Sequence, residues 1–390
     1  MKTSLAKNTR AGNQTSVKND STFVKCALAV NSSLYSRIDA PNRLYYGART
    51  VAKNSLLVLR PGETIQPNER FEENVSDGGQ RLTLPTGSSV DSVAHWRDNL
   101  DAGMHLNGGE VLHFARREGA YAYVASDLTR AYDTPDHDAS GRGGKVSKVR
   151  RALFYDQQRD ALWVSDEVVA TDPAFTKKWL LHSIDKPRVE GARVLRGEPE
   201  NGILETAAGR AEIARGRGRL VVHRLLPGDG VMRVVGGADH RYYVEADGDD
   251  SDLDGINADG GAKPKPWFDA ADWRLELQPA TPRRRDRFLV ALLPSLDPPR
   301  NDTVRLVESA DAGVSAAMLE DRLVVFLHDP SPRRLRLALP AAARRLFLLG
   351  LGNPATITDA GGFRLLAPRD GVAEAELELA AGTALELELR

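Results

Sequence analysis

The chain has 390 residues, 41% hydrophobic, 6% aromatic and 27% charged, enough for two or three domains with cores of their own. Lys+Arg 53 balance Asp+Glu 54, so the basic surplus of a nucleic-acid binder or a membrane-surface protein is missing. One cysteine, Cys26, excludes an intrachain disulfide framework and a cysteine-built zinc ribbon.

No stretch approaches the roughly 20 apolar residues of a membrane helix. Met1–Asp20 is polar, reads as a solvated arm and lacks the apolar centre of a secretory signal, so export by its own signal is not expected and the compartment stays open. The first 60 residues hold five Lys (2, 7, 18, 25, 53) and five Arg, whereas the remaining 330 hold seven Lys and 36 Arg. Such a shift marks a segment of different origin or a solvated start.

Beyond the arm the chain reads as strands. Short apolar or alternating runs recur, among them Asn54–Leu59, Val111–Phe114, Ala120–Val124, Ala161–Val164, Lys178–His182, Leu220–His223 and Phe288–Leu292. Turn signals punctuate them: Pro61-Gly62, Asp77-Gly78-Gly79, Gly108-Gly109 and Pro227-Gly228-Asp229-Gly230. Helical period is confined to Val90–Leu100 and Pro340–Arg345. Asp247–Pro266 is acidic, then Gly- and Lys-Pro-rich, and reads as an exposed loop. The spacing of Asp250, Asp252, Asp254 and Asn257 is not that of a helix-flanked calcium loop. A boundary falls near Pro294–Asp302, followed by Val304–Val307, Leu323–Leu327 and Leu335–Leu339. Ala373–Arg390 alternates with period 2, predicting a strand pair joined at Ala380–Thr383. The expected fold is all-β: a flexible arm at 1–20, a large two-sheet antiparallel β-sandwich at 21–298, and a smaller β-domain at 299–390 that closes it.

Dinucleotide, P-loop, zinc-protease and nucleophile-elbow motifs are absent. In Lys177-Lys178-Trp179-Leu180-Leu181-His182, alternation puts Lys178, Leu180 and His182 on one face and Trp179 and Leu181 on the other. His182 is then either a hydrogen-bonded core histidine or a group on a sugar-facing surface. Gly78-Gly79-Gln80-Arg81 combines two glycines, which admit close backbone approach, with donors for hydroxyls and carboxylates. The alternative is a bulged turn. Trp96, beside His95, and His105 lie in a loop-rich stretch that suits a sugar platform, although a lone tryptophan also suits a core.

Read in order, Ser21-Thr22-Phe23-Val24, Ala52–Val58, Gly78–Arg81, Glu110–Phe114, Tyr121–Asp127 and Lys148–Arg151 resemble the heparinase II/III-like polysaccharide lyases. Asp166–His182, Trp273-Arg274-Leu275-Glu276 and Asp286–Leu289 continue the series, so the resemblance spans roughly residues 20–300. It implies β-elimination of uronate-containing polysaccharide. A base removes the proton alpha to the carboxyl, a Tyr or His protonates the leaving oxygen, and polar groups stabilise the enolate-like intermediate. Relatives pair a helical toroid with the sandwich, are typically periplasmic or secreted, and in many cases hold a zinc ion with His, Asp and His.

This sequence departs from that pattern. The resemblance begins where the sandwich begins, with no toroid before it. Val17–Asp20 carries no histidine, Asn31 stands where relatives have Asp, and Lys53 stands where they have His. An amide and an ammonium make a poor set for a divalent ion, so no zinc and no other cofactor is expected. Tyr45, Tyr46 and Arg49 match substrate-contacting positions. The catalytic candidates are His182, Tyr45 and Lys53, the last because a lysine depressed by burial can act as a base. The substrate-binding candidates are Tyr46, Arg49, Gln80, Arg81, Trp96, His105 and Trp179. The expected partner is acidic polysaccharide, not nucleic acid or membrane, with a homodimer left open. Three functional readings follow: a lyase sandwich weak or inactive alone, a non-catalytic carbohydrate-binding or assembly module, or an enzyme rearranged around His182, Tyr45 and Arg81.

Overall fold

A computed structural model describes residues 27–32, 46–65, 74–80, 92–101, 108–133, 143–245, 270–329, 331, 333–352, 357–359 and 369–389. The arm at 1–20, Cys26, Tyr45, Arg81, His105 and the acidic loop at 247–266 lie outside the described residues.

The organising element is the strand Arg285–Leu296, whose run Phe288-Leu289-Val290-Ala291-Leu292-Leu293 is apolar at every position. A strand turns successive side chains to opposite faces, so an unbroken apolar run needs apolar cover on both. Phe288, Val290 and Leu292 enter one core; Leu289, Ala291 and Leu293 enter another. This strand is central in an eight-stranded sheet ordered Glu110–Arg117, Tyr121–Asp127, Val146–Asp156, Ala161–Ala170, Arg285–Leu296, Gly218–Leu226, Arg210–Arg215, Arg188–Val189. All its pairings are antiparallel.

One face is covered by a six-stranded antiparallel sheet, ordered Leu56–Leu59, Thr176–Ser183, Trp273–Gln278, Val231–Gly236, Asn201–Thr206, Arg193–Glu198. Trp179, Leu181, Val234, Leu275 and Leu277 meet Val149, Val168, Phe288 and Val290 across that seam. This is the sandwich the alternation predicts. The other face is covered by a five-stranded sheet, ordered Val304–Val307, Val314–Leu319, Arg322–Leu327, Ala343–Leu349, Val372–Leu379. Here Phe154 and Phe347 pack with ring centroids 4.9 Å apart, flanked by Tyr121 at 6.0 Å from each. The five-stranded sheet is again two-sided: Val324 and Phe326 face the large sandwich, while Leu323, Val325 and Leu327 face a three-stranded sheet of Arg333–Ala338, Ala384–Leu389 and Ile357–Asp359. Among the described residues these four sheets stack as layers, with a core between each neighbouring pair. The small sheets are the strands read from the sequence as a smaller β-domain closing the sandwich. They stack on its outer face, because the central strands are apolar on both sides.

Two local expectations are corrected. Pro340–Arg345 is a turn leading into the strand Ala343–Leu349, not a helix; Leu346/Leu348 and Phe347/Leu349 must enter different cores, which only an extended chain allows. Val372–Leu379 and Ala384–Leu389 do not pair with each other. The first pairs with Ala343–Leu349 and the second with Arg333–Ala338, so their leucines meet face to face across a core and the turn at Gly382 (φ +79°) changes sheets. The helix expected near Val90–Leu100 is present as Val93–Asp101, with a second short one at Thr129–Asp133. Among the described residues no helix is long and apolar enough to cross a membrane.

Truncating Phe347, fully buried between the eight- and five-stranded sheets, is expected to cost about 3–5 kcal/mol. Val111→Ala, on an exposed edge strand, is expected to stay within about 0.5 kcal/mol of the parent. Urea unfolding of both variants checks the contrast; equal losses would mean that the layer seam carries no special load.

Candidate functional site

The strand Thr176–Ser183 lies between Leu56–Leu59 and Trp273–Gln278, with His182 directly opposite Arg274 and Leu180 opposite Glu276. The expected division of faces holds. Trp179 and Leu181 enter the core between the two large sheets, while Lys178, Leu180 and His182 line the outer face of the six-stranded sheet. The segments 27–32, 46–55 and 242–245 cover that face.

His182 is completely buried. Its Nδ1 lies 3.0 Å from Asn54 Oδ1, and its Nε2 lies 3.0 Å from the Val51 carbonyl. The His182 backbone N–H donates to the same Asn54 Oδ1 at 2.8 Å, and Asn54 Nδ2 donates to the Val30 carbonyl at 3.2 Å, which orients the amide. Burial, reinforced by the Arg274 cation, pushes His182 down to about 3, so the ring is neutral. Both its nitrogens face protein acceptor oxygens; a neutral ring donates its one N–H to one of them, and neither nitrogen reaches solvent. Of the two readings of this residue, the structure has the hydrogen-bonded core histidine, and a base needs a lone pair that substrate can reach.

Beneath His182 lies a charge network that sequence reasoning missed. Glu276 accepts from Arg274 Nε at 2.7 Å and from Lys178 Nζ at 2.9 Å. Lys178 also pairs with Glu245, which Arg233 reaches at 3.4 Å. Burial disfavours the Glu276 charge, but Lys178 and Arg274 hold its carboxyl well below the usual range. Buried charges persist only when paired in this way. The signal was available: in Trp273-Arg274-Leu275-Glu276 the alternation places Arg and Glu together on one face, behind Trp and Leu.

The other candidates separate by exposure. Tyr46 is 1% exposed, hydrogen-bonded to Ser32 Oγ at 2.9 Å and packed on Tyr242 at 5.2 Å; it braces the covering segment and offers no surface to substrate. Burial raises its phenol above the ordinary value. Arg49 is buried as well. Trp179 is a core residue, correcting its assignment to substrate, because its face of the strand packs on the eight-stranded sheet. Trp96 stands 42% exposed on the helix Val93–Asp101, with no described contact to the His182 cluster. Gly78 (φ +74°) and Gly79 do admit a close approach, but of the chain to itself: an added Cβ would lie 2.8 Å from the Val58 carbonyl carbon and 2.3 Å from Thr50 Cβ. Gln80 N–H donates to Thr50 Oγ1 at 2.7 Å. These contacts anchor the covering segment to the sheet edge.

What faces solvent above His182 is a polar patch. Asn31 and Asn54 are exposed and Lys53 is half-buried, with burial lowering its ammonium from the ordinary lysine value. Lys53 Nζ donates to Asn31 Oδ1 at 3.4 Å and to the Gly47 carbonyl at 3.2 Å. The two positions implied as metal ligands are thus adjacent, and the Lys53 ammonium itself lies between Asn31 Oδ1 and the Gly47 carbonyl oxygen. An ammonium has no lone pair to give, so these residues do not fit a divalent ion. Among the described residues no group of three His, Cys, Asp or Glu side chains is arranged to hold one.

No family model and no curated protein matches the chain. Among solved structures it is similar to heparinase III (TM-score 0.34, 11% identity), covering 65% of this chain and 29% of that one. It is also similar to the heparan sulfate lyase HepC from Pedobacter heparinus (TM-score 0.31, 10% identity; 71% and 39% covered). A third match is the Streptomyces coelicolor A3 chondroitin AC lyase (TM-score 0.24, 12% identity; 79% and 39% covered). The structural relationship is distant, and the chain spans well under half the length of these proteins.

The depressed His182 gives a pH signature. Below its unfolded value of 6.5 the unfolded chain takes up a proton that the folded chain refuses until about pH 3, so stability present above pH 6.5 falls as pH drops through that window. The slope is about 1.4 kcal/mol per pH unit. His328, likewise held near 3, adds a second contribution. His182→Gln is expected to lose about 2 kcal/mol less than the parent between pH 7 and pH 5. Urea midpoints at the two pH values check this, and parallel slopes would contradict it.

Proposed function

We propose that this chain is the β-sandwich of a heparinase II/III-like polysaccharide lyase, that it binds uronate-containing polysaccharide on the outer face of the six-stranded sheet, and that by itself it eliminates weakly or not at all. The ordered motif series supports the lyase relationship. The patch above His182 supports the binding: the Lys53 ammonium suits a uronate carboxylate, and the Asn31 and Asn54 amides suit ring hydroxyls. The observation that carries the weak-turnover part is the closure of His182, with both ring nitrogens facing protein oxygens and no solvent contact. That closure equally favours a second reading, a non-catalytic carbohydrate-binding or assembly module. In either case no zinc is held at Asn31 and Lys53.

Incubation with alginate, heparin, chondroitin and hyaluronan, followed by unsaturated-uronate absorbance, separates the readings. Saturable binding with slow turnover is the expected result, and binding without turnover selects the non-catalytic module. Absence of any glycan affinity would sink the lyase and carbohydrate-binding readings and leave only an assembly role. Lys53→Ala is expected to weaken binding by about three- to tenfold. Elemental analysis of protein purified without chelator is expected to show no stoichiometric zinc; a full equivalent would reverse the metal assignment.

A further inference from the structure

A second polar site lies on the opposite side of the large sandwich. A cavity of about 240 Å³ sits in the seam between the eight- and five-stranded sheets. It is roomier than the ~150 Å³ apolar cavity that admits a benzene ring, so a substituted six-membered ring fits. Its walls are aromatic: Tyr123 from one sheet and Phe326 from the other, both nearly fully buried.

Three polar groups converge on it with hydrogen-bonding capacity to spare. Ser165 is 1% exposed, and its buried Oγ makes no hydrogen bond. Buried hydroxyls are almost always satisfied, so an orphan aimed into a cavity points to a missing ligand. Arg150 donates from Nε to Asp127 at 3.1 Å and from Nη1 to the His328 carbonyl at 2.9 Å, leaving Nη2 unused and the guanidinium fixed. The His113 ring stacks on Tyr123 at 6.2 Å and makes no hydrogen bond with the protein. Gly371 (φ +85°) lets the backbone lie against that ring, where a Cβ would fall 2.5 Å from Nδ1.

The surrounding field is positive. His328 is held neutral by burial and by the cations Arg287, Lys148, Arg150 and Arg285, and His113 is lowered by burial and Arg150. The nearby carboxylates Asp127, Asp166 and Glu167 are already paired, with Arg150, Arg151 and Lys148, and Asp370, whose charge acts on His113, pairs with Arg369. Room for one ring, two aromatic walls, a fixed guanidinium and orphan hydroxyl and imidazole groups together define a complementary ligand. We propose that this seam cavity binds a single polyhydroxylated six-membered ring bearing a carboxylate, with the carboxylate on Arg150 Nη2 and ring hydroxyls on Ser165 and His113.

The test is titration of the full chain with D-glucuronate, glucose and benzoate, followed calorimetrically, with Ala152→Leu to fill the cavity and Ser165→Ala to remove the orphan hydroxyl. Glucuronate is expected to bind saturably, with glucose and benzoate each about tenfold weaker. Ala152→Leu should abolish that binding and Ser165→Ala should weaken it about threefold. Unchanged unfolding midpoints would show that both variants fold. In a Lys53→Ala background, which removes the ammonium of the polysaccharide patch, Ala152→Leu should still abolish the glucuronate binding that remains, which separates this cavity from that patch. Absence of saturable glucuronate binding, equal affinity in Ala152→Leu, or equal binding of glucose would overturn the proposal; the first of these would mean that the cavity holds only water.

Discussion

The centre of the eight-stranded sheet has no free face, and the rest of the molecule follows from that. Its central strand is apolar at six consecutive positions, so water must be excluded from both sides. One side is satisfied by the six-stranded sheet and the other by the five-stranded sheet, which repeats the situation and needs the three-stranded sheet in turn. Layering ends only where strands become one-sided. Ala384–Leu389 buries Leu385, Leu387 and Leu389 and turns Ala384 and Glu386 outward.

This constraint decides where polar chemistry can sit. Inside a seam, a charge must find a partner. Arg151 meets Asp166 across neighbouring strands at 2.7 Å, Lys177 meets Asp286 from the opposite sheet at 2.9 Å, and Lys145 meets Glu63 at 2.9 Å. Such pairs contribute little net stability, but an unpaired member would be costly. The neutral Ser165 hydroxyl is left without a hydrogen bond, and it lies at a cavity. The outer face of the six-stranded sheet escapes the apolar constraint. It carries Lys178, His182, Arg233, Arg274 and Glu276, bonded to one another or to the segments laid over them.

Much of the fold was legible because period-2 alternation is a local property. The faces of Lys178–His182 follow from residue parity alone, as does the burial of Trp179 once that face is known to be the core. The partner of a strand is not local. Ala373–Arg390 reads as a hairpin because two alternating runs flank a turn, yet each run pairs with a different strand contributed from before residue 350. The site was legible in the same measure. Position 182 belonged to the polar face, whereas the contact between Lys53 and Asn31 followed only from the fold. That His182 would be sealed between Asn54 and Val51 could not be read, since those residues lie 128 and 131 positions away.

By itself the sequence determined the class of structure: an all-β chain of ordinary composition, balanced in charge, with parity assigning side chains to faces and a residue series resembling a lyase sandwich. Tertiary structure alone decided the stacking of four layers, the closure of His182, the Lys178–Glu276–Arg274 network and the cavity at Ser165. The physical reason is that burial, pairing and desolvation belong to groups brought together from distant positions. Parity says which way a side chain points; only the assembled layers say what it meets there.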